Sequence, residues 1–105
     1  MIPKKYRFKN FNFNIFFKLA AKKQNEMFNI WMSENNYSYP RFSVSPSKRI
    51  FKTAVARNKI RRQIYEILRL NLKKIRKADY VIVPKKPLSD LTHGILMEKI
   101  MELLK

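Results

Sequence analysis

The stretch from Ala54 to Arg69 interleaves basic residues with apolar residues at helical spacing, and it constrains the fold more than any other segment. At about 100° per residue, a helix from about Thr53 to about Arg76 has an apolar side made of Ala56, Ile60, Ile64, Ile67, Leu68 and Ile75. The opposite side consists of Asn58, Arg62, Tyr65, Arg69, Lys73 and Arg76. Such a helix is expected to bury one face in the protein and to leave the other exposed for a polyanion.

The residues before this helix predict a second, shorter helix and two strands. Aromatic residues four apart indicate a helix over residues 11–21. Residues 27–32 and 37–45 alternate between apolar and polar positions, and the Asn-rich turn between them predicts a hairpin. Pro46 is expected to end the second strand or to place a bulge in it.

The residues after the long helix predict one more strand and a last helix. Residues 79–83 form a short apolar run, which is typical of a strand in the centre of a sheet. Ser89 or Thr92 is expected to cap the last helix. Its buried stripe is predicted to consist of Leu96, Ile100 and Leu103. The order is α-β-β, with one further short strand left open, and then α-β-α. A length of 105 residues favours a single domain, residues 1–105.

The charge of the chain points to a polyanionic partner. The formal net charge is +17, and residues 48–77 hold 12 of the 24 basic residues but only one acid. Such an imbalance opposes compaction through self-repulsion, so nucleic acid is the first candidate partner and an anionic membrane surface the second. No segment approaches the roughly 20 apolar residues of a membrane span, and the start of the chain does not resemble a secretory signal. Together with the absence of cysteine, this favours a cytoplasmic location.

The titratable residues do not form a recognisable catalytic or metal-binding set. The seven carboxylates are scattered, without a pair at metal-site spacing, and no Gly-rich phosphate loop is present. His93, the only histidine, lies beside Gly94 near a predicted helix start, where a surface or capping role is expected. We therefore predict no catalytic residue, no metal ligand and no small-molecule substrate.

Residues 57–66 resemble the signature of the bacterial ribonuclease P protein subunit, R-N-R-x-K-R-x-x-R-E. Four positions match by identity: Arg57, Asn58, Arg62 and Glu66. Lys59 and Arg61 keep the charge while exchanging Lys and Arg. Tyr65 stands where the family often has Arg, so one phosphate contact is lost or is replaced by a stacking contact.

Other segments are similar to the same family, and together they cover nearly the whole chain. Residues 3–9 followed by Phe13 and Phe17 resemble the N-terminal segment of the family. Residues 47–49 resemble its approach to the long helix, and residues 79–83 resemble its strand before a Pro-containing turn.

The resemblance implies both a fold and a function. The family fold is an α+β protein, a compact α/β sandwich in the order α-β-β-β-α-β-α. Its four-stranded mixed sheet has a left-handed βαβ crossover, against the general rule of right-handed crossovers. The family's protein is the accessory subunit of a ribonucleoprotein endonuclease, whose RNA removes the 5′ leader of precursor tRNA with Mg2+ held mainly by the RNA. The expected partners are therefore ribonuclease P RNA and precursor tRNA, and no membrane.

The resemblance and the charge pattern together assign candidate binding residues. Arg can hold a phosphate with two parallel hydrogen bonds, and Asn58 offers a donor and an acceptor that can fix the register. The predicted contacts to the catalytic RNA are Lys48, Arg49, Arg57, Asn58, Lys59, Arg61, Arg62, Tyr65 and Arg69. The predicted leader contacts are Lys9, Phe13, Phe17 and Trp31. Bases stack on aromatic rings with little sequence preference, although Phe pairs four apart on a helix are also common in cores.

Three other functions fit parts of the pattern. A structural RNA-binding protein, such as a small ribosomal protein, has the same composition and differs only in lacking the pattern of residues 57–66. A DNA-binding module would place the long helix in a major groove, but no helix-turn-helix spacing is present and the apolar stripe requires packing along the helix. A membrane-surface helix conflicts with the predicted strands.

Overall fold

The computed structural model describes residues 3–7, 13–87 and 92–104. Within these ranges, three helices and four strands follow in the order α1 Phe13–Leu19, β1 Ala21–Gln24, β2 Phe28–Ser33, β3 Arg41–Val44, α2 Ala54–Leu70, β4 Asp79–Pro84 and α3 His93–Leu104. Short 3-10 turns occur at Lys4–Tyr6 and Leu72–Lys74. The predicted order α-β-β-β-α-β-α is confirmed.

The strands form one mixed sheet in the order β1-β2-β4-β3. β2 pairs antiparallel with both β1 and β4, whereas β3 pairs parallel with β4. Parallel neighbours need a crossover connection, and α2 provides it between β3 and β4. The predicted central position of residues 79–83 is confirmed. The left-handed sense of the crossover stays a prediction from the family.

The predicted hairpin between residues 27–32 and 37–45 is wrong, because β4 lies between the two strands. β4 is buried on both faces at Tyr80, Val81 and Ile82, so it takes the central position that an unbroken apolar strand requires. β2 forms its hairpin with β1 instead. The side chain of Asn25 closes that turn, since its Oδ1 accepts hydrogen bonds of 2.9 Å from the backbone N–H groups of Met27 and Phe28.

α2 is shorter than the predicted helix, which extended to Arg76. The helix begins as predicted, with Thr53 Oγ1 accepting a hydrogen bond of 3.1 Å from the backbone N–H of Ala56. It ends at Leu70 because the buried Asn71 bonds back to the last turn, where its Nδ2 donates to the Ile67 carbonyl at 2.7 Å. The chain then continues as a 3-10 turn.

α2 and α3 cover one face of the sheet and form the core with it. The sheet contributes Phe28, Ile30, Phe42, Val44, Tyr80 and Ile82, and the helices contribute Ile60, Ile64, Ile67, Leu68, Leu96 and Ile100. The predicted buried stripe of the last helix is confirmed, including Leu103. Thr92 is its cap, with Oγ1 accepting from the backbone N–H of Ile95 at 3.3 Å. α1 lies on the other side of the sheet, where Phe17 contacts Trp31 of β2.

Candidate nucleic-acid interface

The first half of α2 presents the predicted basic residues at the protein surface. Asn58, Lys59 and Arg62 are exposed, whereas Arg57 and Arg61 are half-buried where the apolar stripe meets solvent. Arg57 Nη1 donates a hydrogen bond of 2.8 Å to the Phe51 carbonyl. These positions agree with guanidinium groups whose stems cover the apolar stripe while their heads remain accessible.

The turn that precedes α2 extends this surface. Lys48 and Arg49 are exposed in a turn closed by Ser47, whose Oγ accepts a hydrogen bond of 3.2 Å from the backbone N–H of Ile50. Because the buried Phe51 ends this turn and also receives the hydrogen bond from Arg57, the turn and the helix are held together. We define the basic surface as Lys48, Arg49, Arg57, Asn58, Lys59, Arg61 and Arg62.

Arg69 differs from the residues of the basic surface because its charge is paired with a carboxylate of the same helix. Its Nε donates to Glu66 Oε2 at 3.0 Å, and its Nη2 donates to the other carboxylate oxygen of Glu66. These hydrogen bonds lower the pKa of the Glu66 carboxyl. Arg69 lies about 10 Å along the helix from Arg62, from a rise of about 1.5 Å per residue. Because its charge is already paired, we do not include Arg69 in the basic surface.

Helical spacing placed Tyr65 on the exposed side of the helix, and this placement is wrong. Its ring is 7% exposed and packs in the core, and its hydroxyl accepts a hydrogen bond of 3.2 Å from the backbone N–H of Val44. Burial raises the pKa of this hydroxyl. The position lies at the border of the apolar stripe, where the adjoining strand β3 covers it. A ring buried in this way has no open face on which a base could stack.

Replacing Tyr65 by Phe is expected to affect stability and to leave RNA binding intact. The substitution removes the acceptor of the buried Val44 N–H, which should lower the free energy of unfolding by about 1–3 kcal/mol. Urea unfolding measures this loss, and RNA affinity is measured well below the unfolding transition. An affinity loss at unchanged stability would restore Tyr65 as an RNA contact.

The second face of the sheet carries a pair of aromatic side chains beside a cation. Trp31 points away from the core, and Phe17 of α1 packs against it edge to face, with ring centroids 5.1 Å apart. The Lys22 ammonium lies 5.2 Å from the centre of the Trp31 ring. Val81, paired with Trp31 across the sheet, is buried on the same face. We define the aromatic site as Phe17, Trp31 and Lys22.

Two of the four predicted leader contacts therefore come together, Phe17 and Trp31. Lys9 and the side chain of Phe13 lie outside the described residues. Lys22 was not predicted, because the exposed strand β1 lacks the alternation that marks a strand. Arg7 forms a parallel bridge with Phe42 at the edge of the sheet, and its charge partly opposes the effect of burial on the pKa of the Tyr65 hydroxyl.

The described carboxylates are mostly engaged with cations of the same chain. Ion pairs involve Glu26, Glu34, Glu66, Asp79 and Glu102. Within residues 3–7, 13–87 and 92–104, no group of three or more His, Cys, Asp or Glu side chains is placed to hold a metal ion. These residues therefore do not fit a protein-held magnesium site. Among the described helices, none has the length and apolar character needed to span a bilayer.

Comparison with known proteins gives a consistent result. The family model described as Ribonuclease P matches residues 2–105. The ribonuclease P protein component of Mycoplasma mycoides is 33% identical over 99 residues, covering 92% of this chain and 90% of the relative. The RNase P protein from Thermotoga maritima has a similar structure, with a TM-score of 0.83, 32% identity and coverage of 90% and 89%. That from Staphylococcus aureus has a TM-score of 0.81, 28% identity and coverage of 94% and 92%.

Proposed function

Because the chain belongs to the ribonuclease P protein family, we propose that it binds the catalytic RNA through its basic surface and the 5′ leader of precursor tRNA through its aromatic site. The family supplies the protein component of a ribonucleoprotein endonuclease, so ribonuclease P RNA is the partner of this chain. In the proposed function the complex matures the 5′ end of tRNA in the cytoplasm. The RNA cleaves the bond, and the protein positions the substrate.

The observation that carries this proposal is the unpaired charge of the basic surface. None of the described carboxylates forms an ion pair with Lys48, Arg49, Arg57, Lys59, Arg61 or Arg62. Basic residues in the first turns of a helix also oppose its macrodipole, so they do not stabilise α2. A phosphate backbone at this position would relieve both repulsions and would release counterions on binding.

The aromatic site has the chemistry that a variable single strand needs. An unpaired base can stack on the open parts of Phe17 and Trp31, because every base has a π face. The Lys22 ammonium lies close enough to the same ring to attract the adjoining phosphate. Stacking and charge together allow the site to bind leaders of any sequence, as a subunit that accepts many precursors requires.

Mg2+ belongs to the proposal as an ion held mainly by the RNA subunit. The family resemblance implies this, and the ion pairs of the described carboxylates are consistent with it. The metal, when bound, would supply a nucleophile and charge stabilisation at the scissile phosphate. The residues of this chain bind the RNA, orient the leader and reduce phosphate repulsion between the two RNAs.

Reconstitution tests the proposed function. The protein is combined with the ribonuclease P RNA of Mycoplasma mycoides, and cleavage of a precursor tRNA is measured at low magnesium. Stimulation over the RNA alone is expected, because the protein supplies charge that magnesium otherwise supplies. Binding without stimulation would favour a structural RNA-binding protein instead. Cleavage by the protein without RNA would contradict the proposal.

Replacing Trp31 by Ala is expected to reduce the preference for precursor over mature tRNA by about 5- to 100-fold, because a base stacked on an aromatic ring contributes about 1–3 kcal/mol. Equilibrium binding of both tRNAs to the reconstituted complex measures the preference. Trp31→Phe keeps a stacking surface and should therefore retain most of the preference for precursor tRNA. An unchanged preference in Trp31→Ala would show that the ring serves only to pack α1 against the sheet.

A further inference from the structure

A second group of aromatic and basic side chains lies where the loop between β2 and β3 meets the N-terminal 3-10 turn. Tyr37 and Tyr39 have ring centroids 5.3 Å apart, and Tyr6 packs edge to face on Tyr39 at 5.6 Å. The Lys5 ammonium lies 5.0 Å from the Tyr6 ring and 5.2 Å from the Tyr39 ring. The Arg41 guanidinium stacks 4.2 Å from the centre of Tyr37. We define the tyrosine cluster as these five residues.

Hydrogen bonds to one carboxylate hold the cluster in place. Arg41 donates to both oxygens of Asp79, from Nε at 2.8 Å and from Nη2 at 2.7 Å. Asn35 Nδ2 donates to the same carboxylate at 2.8 Å, and Asn35 Oδ1 accepts from the backbone N–H of Tyr37 at 3.1 Å. The loop is therefore pre-ordered, so a ligand would not have to order it on binding.

The pre-ordered loop leaves an aromatic surface open. Tyr37 is 47% exposed although its ring is stacked on Arg41 and lies beside Tyr39. A tyrosine needed only for packing would be expected to turn its ring inward, as Tyr80 does at 2% exposure. The arrangement of open ring, adjoining ring and two cations matches the surfaces on which unpaired bases stack.

The cluster lies on the same face of the sheet as the aromatic site. Arg41 pairs with Asp79 across the sheet, and Trp31 pairs with Val81 two residues further along β4, so all four point away from the core. Two strand spacings and two residues along the strand place the Cα atoms of Trp31 and Arg41 roughly 12 Å apart. Val81 and Asp79 of β4 lie between them on this face. One single strand could therefore follow this face from Trp31 to Tyr37.

We propose that the tyrosine cluster is a second binding site for single-stranded RNA, which takes an unpaired nucleotide of the leader beyond those at the aromatic site. This inference rests on the proposed function, because it extends the same leader across the sheet. The base stacks on the open face of Tyr37, and the Lys5 ammonium attracts the phosphate. Single-strand-binding sites of proteins commonly span several nucleotides, so one leader strand can occupy both sites.

The test measures the affinity of the reconstituted complex for precursor tRNAs whose leaders are lengthened one nucleotide at a time. With the natural protein, affinity is expected to rise in steps as the leader lengthens. One of the later steps is expected when the leader reaches the tyrosine cluster. Tyr37→Ala should remove that later step, a loss of about 5- to 100-fold for long leaders. The affinity for precursors with short leaders and for mature tRNA should stay unchanged. Tyr37→Phe should keep the step, and Leu70→Ala, at another exposed apolar position, should have no effect.

The outcomes separate this inference from the proposed function. If the natural protein prefers leaders and Tyr37→Ala keeps every step, the cluster is not a leader site while the proposed function stands. If the natural protein shows no leader preference, both fail. If Tyr37→Ala weakens assembly with ribonuclease P RNA in the absence of tRNA, the bound nucleotide belongs to the catalytic RNA and the inference is overturned.

A crosslinking measurement uses the unaltered protein and so does not depend on the folding of a variant. A photoreactive thiouridine is placed at each leader position in turn, and the crosslinked peptide is identified by mass spectrometry. Leader positions further from the cleavage site than those that crosslink to Trp31 are expected to crosslink to Tyr37 or Tyr39. If no leader position crosslinks to the cluster, the inference is overturned.

Discussion

Reversing the charge of Arg57 and Arg62 to Glu is expected to weaken assembly with ribonuclease P RNA by about 100- to 10,000-fold, since each of the two lost hydrogen bonds to a charged group contributes about 1.5–3 kcal/mol. Both side chains belong to the basic surface, and neither forms an ion pair with a described carboxylate. The loss should be most visible at moderate salt, although the ratio of the two binding constants should be largest at low salt. The salt slope of the binding constant should fall by about one for each phosphate contact removed.

The matched control reverses two exposed lysines outside the basic surface, Lys77 and Lys86. It changes the net charge by the same amount, so it separates a local contact from a general attraction. Because Arg57 also bonds to the Phe51 carbonyl, the unfolding free energy of each variant is measured in parallel. The single variant Arg62→Glu, at an exposed position, isolates the electrostatic effect. If the double variant assembles as tightly as the natural protein, the basic surface is not the docking site.

Replacing Phe42 by Ala is expected to lower the free energy of unfolding by about 3–5 kcal/mol, the range typical of truncating a buried Phe. Phe42 is fully buried, and its ring stacks on Tyr80 with centroids 5.5 Å apart and planes 19° from parallel. This contact joins the parallel strands β3 and β4 beneath α2. A loss of this size is a large share of the stability of a small domain, about 5–15 kcal/mol in total.

Urea unfolding followed by circular dichroism measures the effect of Phe42→Ala. Phe42→Leu keeps most of the apolar volume and should cost less, while Leu70→Ala at the exposed end of α2 should cost little. A loss of less than about 1 kcal/mol in Phe42→Ala would mean that the neighbouring side chains collapse into the cavity, against the expectation for a packed core. The stack on Tyr80 would then not be a principal contact of the sheet.

Much of the long helix could be predicted because helical periodicity is a local property. The apolar stripe at Ile60, Ile64, Ile67 and Leu68 is buried as expected, and the helix begins near Thr53 as predicted. The C-terminal end was placed too late, since the periodicity continues beyond Leu70. The side chain of Asn71 ends the helix through a hydrogen bond within the core, and helical periodicity does not report such a bond.

The candidate site could be predicted in part. The charged residues from Lys48 to Arg62 are at the surface because exposing a Lys or Arg head requires no partner in the fold. Tyr65 was misplaced, since an amphipathic side chain at the border of a stripe can be buried or exposed depending on what packs against it. Its burial depends on β3, whose Val44 supplies the hydrogen bond.

Residue spacing established the amphipathic helix, the net charge of +17 predicted a polyanionic partner, and the motif pattern of residues 57–66 pointed to the family. The strand order β1-β2-β4-β3 came from packing, because pairing joins residues far apart in the chain and the strand with two apolar faces takes the centre. That order places Lys22 beside Trp31 and aligns Arg41 and Trp31 on one face. The basic surface is thus a consequence of local periodicity, whereas the aromatic site and the tyrosine cluster exist only because distant strands compete for burial.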